Sequence, residues 1–259
     1  MELRALALRV VTSDDLEAKL RPERERTDRD PGEPLRLEAP GRPPELQIRP
    51  GREIKVPSLK GMTDPAQRAR ILHALANHEL QAAELFAWAL LAFADAPAEM
   101  RRGLGEILED EKRHTRMYIA RIEALGVRFG DVPVSGYFWN KVPSIRNPLG
   151  FVSAMSLTFE NANLDHTVEY ADAARLAGDE KTARVIEAIG RDEVSHVRFG
   201  WQWLQRLKDP ETDSWDAWNR ALEWPLRPVR ARGASFQREP RREAGLDEAF
   251  IDRLAAEEP

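Results

Sequence analysis

Apolar residues recur with a helical period in four long stretches of the chain, and between them the pattern breaks at turn-forming residues. The first stripe is Leu72, Leu75, Glu79, Ala83, Phe86 and Leu90. The second is Met100, Leu104, Ile107, Glu111, His114, Tyr118 and Ile122. The fourth is Thr182, Ile186, Ile189, Glu193, His196, Gly200 and Trp203. The third is less regular: Leu149, Val152, Ser156, Glu160, Asn163, Thr167 and Tyr170. Start and stop signals bound the stretches. Asp64-Pro65 reads as a cap followed by proline at the first helical position, and Gly126 and Gly178 read as helix ends. Asp179 reads as the cap of the fourth helix, which stops before Asp209-Pro210. The predicted helices span 64–94, 98–125, 148–177 and 179–207.

Loop lengths arrange these helices. The first and second are joined by a few residues, as are the third and fourth, so each pair is expected to form an antiparallel hairpin. Residues 127–147 link the hairpins. A helix of roughly 28 residues is about 42 Å long, and twenty extended residues reach about 66–72 Å. The link can therefore run the length of a bundle. The expected fold class is all-α, a four-helix bundle with one long crossover, over residues 61–208.

The flanks read differently. Residues 1–60 hold eight of the 18 prolines and a charge-mixed run from Arg21 to Asp30. They are expected to form an extended arm packed on the bundle, with a short helix near Ser13–Leu20. Residues 209–259 are expected to form a lid or brace. Short helices near Ser214–Glu223 and Leu246–Ala256 flank an arginine-rich stretch, and Trp215, Trp218 and Trp224 are candidates to roof an access pocket.

Composition narrows the classes. The chain has 259 residues, 42% hydrophobic and 32% charged, with net charge −5 and both signs well mixed. That balance argues against bulk electrostatic binding to nucleic acid. Arginines 227, 230, 232, 238, 241 and 242 sit among acidic neighbours and read as a salt-bridged face. With no cysteine there are no disulfides, zinc–thiolate sites or iron–sulfur clusters. No stretch approaches the roughly 20 apolar residues needed to span a bilayer, and MELRALALRVV lacks a signal-peptide pattern. A cytoplasmic protein without a membrane partner is expected.

The chemistry lies in a pattern that occurs twice. Glu79 precedes Glu111-Lys-Arg-His114 by 32 positions, and Glu160 precedes Glu193-Val-Ser-His196 by 33. Residues three apart on a helix are neighbours, so Glu-x-x-His aims a carboxylate and an imidazole at one point. Glu79, Glu111, His114, Glu160, Glu193 and His196 together are a full ligand set for two metal ions. Mixed nitrogen and oxygen ligation suits iron, with manganese or a mixed pair as alternatives. Glu84 rivals Glu79 on the first helix, and the matching spacing favours Glu79. Of the other polar candidates, His78 reads as a polar or interface histidine, His73 as a surface residue and His166 as structural. Asp165 is a candidate to support a histidine ligand.

These residues resemble the ferritin-like di-iron carboxylate superfamily. More narrowly, His78-Glu-Leu-Gln-Ala82, Asp110-Glu-Lys-Arg-His114, Phe159-Glu-Asn-Ala-Asn-Leu-Asp165 and Asp192-Glu-Val-Ser-His-Val-Arg-Phe-Gly200 resemble a bacterial branch catalogued as domain of unknown function 455. The proline-rich arm, Trp224-Pro-Leu-Arg-Pro228 and the Gly245-Leu-Asp ending carry the same likeness. The resemblance implies a ferritin-like fold, with an extended N-terminal arm and a C-terminal helical extension, and the six metal ligands named above. Many members carry Glu-Ala-Arg-Gly-Leu-Asp where this chain has Glu160-Asn-Ala-Asn-Leu-Asp165, so an arginine beside the site is missing. The branch is compared by fold with a tRNA-modifying di-iron hydroxylase, which bears only weakly on function.

The expected function is a dinuclear, di-iron oxidase or hydroxylase that activates dioxygen at a carboxylate-bridged site. Its substrate would be a small molecule or tRNA-linked, and the chain a monomer or small homo-oligomer. The alternatives are a ferroxidase or other iron-handling protein, and a non-enzymatic metal-stabilised scaffold.

Overall fold

Helix starts fall where short acidic and amide side chains can take up the first free backbone N–H groups. In a computed structural model, which describes residues 1–223 and 225–258, Asp64 accepts from the N–H of Gln67 at 2.8 Å and opens α3 (Pro65–Ala92). α4 (Ala98–Ala124) follows, and the chain leaves it through Gly126 at φ 80°. The fold is mostly helical, and its only named strands among the described residues are two residues long. No helix among the described residues is long and apolar enough to cross a membrane.

The chain divides into two compact units, Met1–Pro143 and Ser144–Pro259. In the first, α3 and α4 pack side by side as a hairpin. The arm is less extended than its prolines predict. Leu3–Thr12 is a helix, α1, which buries Leu3, Leu6, Ala7, Val10 and Val11 and packs on α3. Gly105 lets it approach α4 as well, since a β-carbon there would lie 2.7 Å from a Leu3 methyl group. α2 (Leu16–Leu20) falls inside the predicted short helix.

Beyond α2 the arm is irregular and bonded to the hairpin. Trp88 Nε1 donates to the Leu37 carbonyl at 3.0 Å, and Arg101 makes two bonds of 2.8 Å to the Asp28 carboxylate. β1 (Ile48–Arg49) pairs in parallel with β2 (Val134–Ser135), Ile48 opposite Val134. The deepest attachment is at Glu84, which is fully buried. Lys19 Nζ lies 3.1 Å from one of its oxygens, Arg42 reaches both with a closest contact of 2.7 Å, and Trp139 Nε1 donates at 2.8 Å.

His73 corrects its surface assignment. It is 1% exposed, its Nε2 accepts from the Gly130 N–H at 2.9 Å, and its ring lies 4.9 Å from Phe129. Burial holds its pKa down to about 4, from the ordinary 6.5. The unfolded chain therefore takes up this proton before the folded one does, and stability falls as pH drops from about 6.5 towards 4. Between pH 7 and 5 the loss from this group is on the order of 2 kcal/mol. His73→Gln is expected to remove that part of the acid sensitivity, read as the difference between wild-type and variant urea midpoints at the two pH values.

In the second unit, Asn147 accepts from the Gly150 N–H at 2.8 Å and opens α5 (Pro148–Ala154). The predicted single helix over 148–177 is interrupted. Met155–Phe159 is a π-helical turn, and α6 runs Glu160–Leu176. Gly178 at φ 75° ends it, and Asp179 caps α7 (Glu180–Leu207), accepting from the Thr182 N–H at 3.1 Å. α6 and α7 pack as the second hairpin. α7 runs so close to the π turn that a β-carbon at Gly200 would lie 2.3 Å from Ser156 Cβ.

α8 (Ser214–Ala221), α9 (Arg238–Glu243) and α10 (Glu248–Ala255) complete this unit. Trp215 and Trp218 lie in a packed core rather than in an exposed cover. They are buried, with Trp218 fully so, and stack edge-on or tilted with Phe250 at about 5 Å in an apolar cluster that includes Trp201 and Leu254. Trp224 lies outside the described residues. Asp165 does not support a histidine ligand either. It is fully buried against Arg241, with bonds of 2.7 and 2.9 Å, and accepts the N–H groups of Gly233 and Gln237. Arg238 pairs with Asp252 and Arg242 with Glu248, each at 2.6 Å, while Arg232 donates to the carbonyls of Ala255 and Glu257. These arginines tie the C-terminal segments to one another and to α6.

Candidate metal centre

Each hairpin carries one half of the repeated pattern on facing positions of its two helices. In the first, Glu79 comes from the middle of α3, and Glu111 and His114 come from one face of α4. One ligand atom from each of the three can be chosen so that all lie within 4.8 Å of one another. In the second, Glu160 opens α6, and Glu193 and His196 share a face of α7. Their ligand atoms meet the same 4.8 Å limit. All six side chains are buried, Glu79 the most exposed at 5%.

Within the first set, His114 Nδ1 lies 3.6 Å from an oxygen of Glu79 and 3.6 Å from one of Glu111. Burial, and then the neighbouring Glu111 charge, push the Glu79 carboxyl well above the usual range, with His114 pulling the other way. Two carboxylates enclosed this closely are stable only when a proton or a cation relieves them. Within the second set, His196 Nδ1 lies 3.2 Å from Glu193.

The donors fit a transition metal. Each set offers two carboxylates and an imidazole without a thiolate, a set that iron and manganese accept and structural zinc seldom uses. The two sets match in ligand type and number, although their helices are built differently. The π turn immediately precedes Glu160, so the regular ladder behind that ligand is disturbed, as is common at functional positions.

Glu84, the rival on α3, is directed to Lys19, Arg42 and Trp139, and so serves a different group of side chains. His78 lies against Phe138 with ring centres 5.2 Å apart. His166 faces Glu169 at 3.4 Å on the half-exposed side of α6. One residue acquires a role that periodicity alone does not assign. Asn163 places Nδ2 3.3 Å from Glu160 Oε2 and 3.4 Å from Glu193 Oε1. Its position three residues beyond Glu160 is the signal that could have marked it.

The profile of the family described as "Protein of unknown function (DUF455)" matches residues 4–252. A protein of Haemophilus influenzae, described as an uncharacterized protein, is 24% identical over 147 residues, which is 54% of this chain and 51% of the relative. The chain thus spans about half the length of that curated relative. No solved structure matches it.

Proposed function

The chain belongs to the DUF455 family, and on that footing we propose that it is a cytoplasmic, dinuclear metal protein. In this reading it is an oxidoreductase that holds two iron ions and activates dioxygen against an organic substrate. The two hairpins are then the halves of a ferritin-like four-helix bundle. The observation that carries the proposal is the repetition, in each hairpin, of the same buried set of two carboxylates and one imidazole.

Glu79, Glu111 and His114 would hold one ion, and Glu160, Glu193 and His196 the other. Four carboxylates against two divalent ions leave the ligand set close to neutral, which a buried site requires. The iron pair, when bound, supplies one-electron chemistry with dioxygen that no side chain of this cysteine-free chain offers. The side chains do the rest. Glu79 gives up its proton as it becomes a ligand, so binding tightens with rising pH. Each Glu-x-x-His pair fixes an oxygen and a nitrogen on one rigid helical turn. The burial of all six ligand side chains keeps bulk water from them.

Protein from iron-replete cells is expected to carry about two iron ions per chain. Metal-free protein reloaded anaerobically with ferrous iron is expected to consume dioxygen in an electrode cell. A chain that takes up no iron would sink the metal reading. Iron bound without dioxygen uptake would remove the oxidoreductase.

A further inference from the structure

Asn163 sits on α6, one turn beyond Glu160, and its amide nitrogen reaches a carboxylate oxygen on each helix of the second hairpin. A side-chain amide carries two N–H donors on that nitrogen, so one group can serve both acceptors. The backbone of that turn is also bonded to the next one. Thr167 Oγ1 donates to the Asn163 carbonyl at 2.7 Å, and Thr167 packs where a β-carbon at Gly190 of α7 would lie 2.6 Å from its hydroxyl. Gly190 thus lets α6 approach α7 closely one turn beyond Asn163.

The matching position of the first hairpin differs. The residue three positions beyond Glu79 is Ala82, which has no donor, and Glu79 instead lies 3.6 Å from His114. A neutral donor suits the position between two ligand carboxylates. It reduces their mutual repulsion in the absence of a cation, as an arginine or lysine would, yet adds no positive charge to oppose an incoming ion.

Resting on the dinuclear reading, we propose that Asn163 is a positioning residue that makes the two ion positions unequal. It clamps Glu160 and Glu193 in their binding arrangement, so that the second hairpin's position fills first and more tightly. The two halves of the pattern match in ligands and differ in preorganisation.

The test is titration of the metal-free, full-length protein with cobalt(II) alone, read by ligand-field absorption and calorimetry. Wild type is expected to bind in two resolved steps. Asn163→Leu, close in size but without a donor, is expected to weaken the tighter step by about 10–100-fold and merge it with the other. Asn163→Ser, which keeps one donor, is expected to recover part of the loss and serves if the leucine variant does not fold. Two wild-type steps that persist unchanged in both variants would overturn the clamp while leaving the dinuclear reading intact. A single affinity for both ions in wild type would also overturn it. No cobalt bound by wild type would count against the dinuclear reading itself.

Discussion

Glu111→Gln combined with Glu193→Gln is expected to strip the protein of metal and, measured without metal, to make it harder to unfold. Glutamine keeps the shape of glutamate and loses its charge. Removing a partner that merely orients a ligand costs about 10–100-fold in metal affinity, so removing one charged ligand from each set should cost more than about 100-fold per ion. The opposite sign for stability follows from the first set. The Glu111 charge is one of the causes that push the Glu79 carboxyl upward, so the metal-free protein holds two acids that disfavour each other's ionisation. Neutralising Glu111 relieves this. A gain of about 0.5–2 kcal/mol is expected, the usual size of a stability increase obtained by disarming a site. Elemental analysis and urea unfolding of chelator-treated protein measure the two effects. Carboxylates kept for structure would give the reverse pattern, a less stable protein. Metal retained by the double variant would remove Glu111 and Glu193 from the site.

Glu84→Leu is expected to lower stability by about 3–5 kcal/mol, the typical cost of leaving a buried charge uncompensated. Here two cations are stranded. Lys19 and Arg42 both close on the Glu84 carboxylate, all three side chains are no more than 1% exposed, and burial already depresses the Lys19 pKa. A domain has roughly 5–15 kcal/mol in total, so the single change should shift the urea midpoint strongly. Replacing all three together, as Lys19→Met, Arg42→Met and Glu84→Leu, should restore most of the loss, because a buried ion cluster and a packed apolar one are often similar in net stability. The metal affinity of the folded triple variant should equal that of wild type. A fall in affinity would mean that Glu84 acts on the ligand set after all.

The sequence displays the four long helices because their ends carry local chemistry. Asp64 and Asp179 cap as read, and Gly126 and Gly178 adopt positive φ where the chain turns away. The ligand candidates are legible for a related reason, since a three-residue spacing on a helix is itself geometry. What stays hidden depends on distant partners. Glu84 looks like a rival ligand until Lys19 and Arg42, 65 and 42 positions away, are seen to converge on it. Asp165 finds Arg241 at a separation of 76. His73 appears exposed because its acceptor role depends on a loop residue, Gly130.

α1 is a different case. Its apolar spacing at Leu3, Leu6, Ala7 and Val10 has the helical period, but ten residues are too few to be stable alone, and Glu2 makes no side-chain cap. Packing on α3 and α2, and bonds from its first turn to Thr27 and the Pro31 and Glu33 carbonyls, hold it. The irregular stripe of the third helix is the trace of the π turn, which no single residue type announces.

That turn sets the aim of Glu160. One residue advances a regular helix by about 100°, and the widened turn absorbs such an offset in the five residues just before the ligand. Were those five residues to tighten to the ordinary pitch with none lost, the offset would pass on to the ligand. Glu160 would then be swung about a quarter-turn or more relative to α5, with its chemistry intact and its bearing wrong. Loss of one residue from the turn would by contrast leave Glu160 near its present bearing, since four residues of ordinary helix rotate about as far as five of the wide turn.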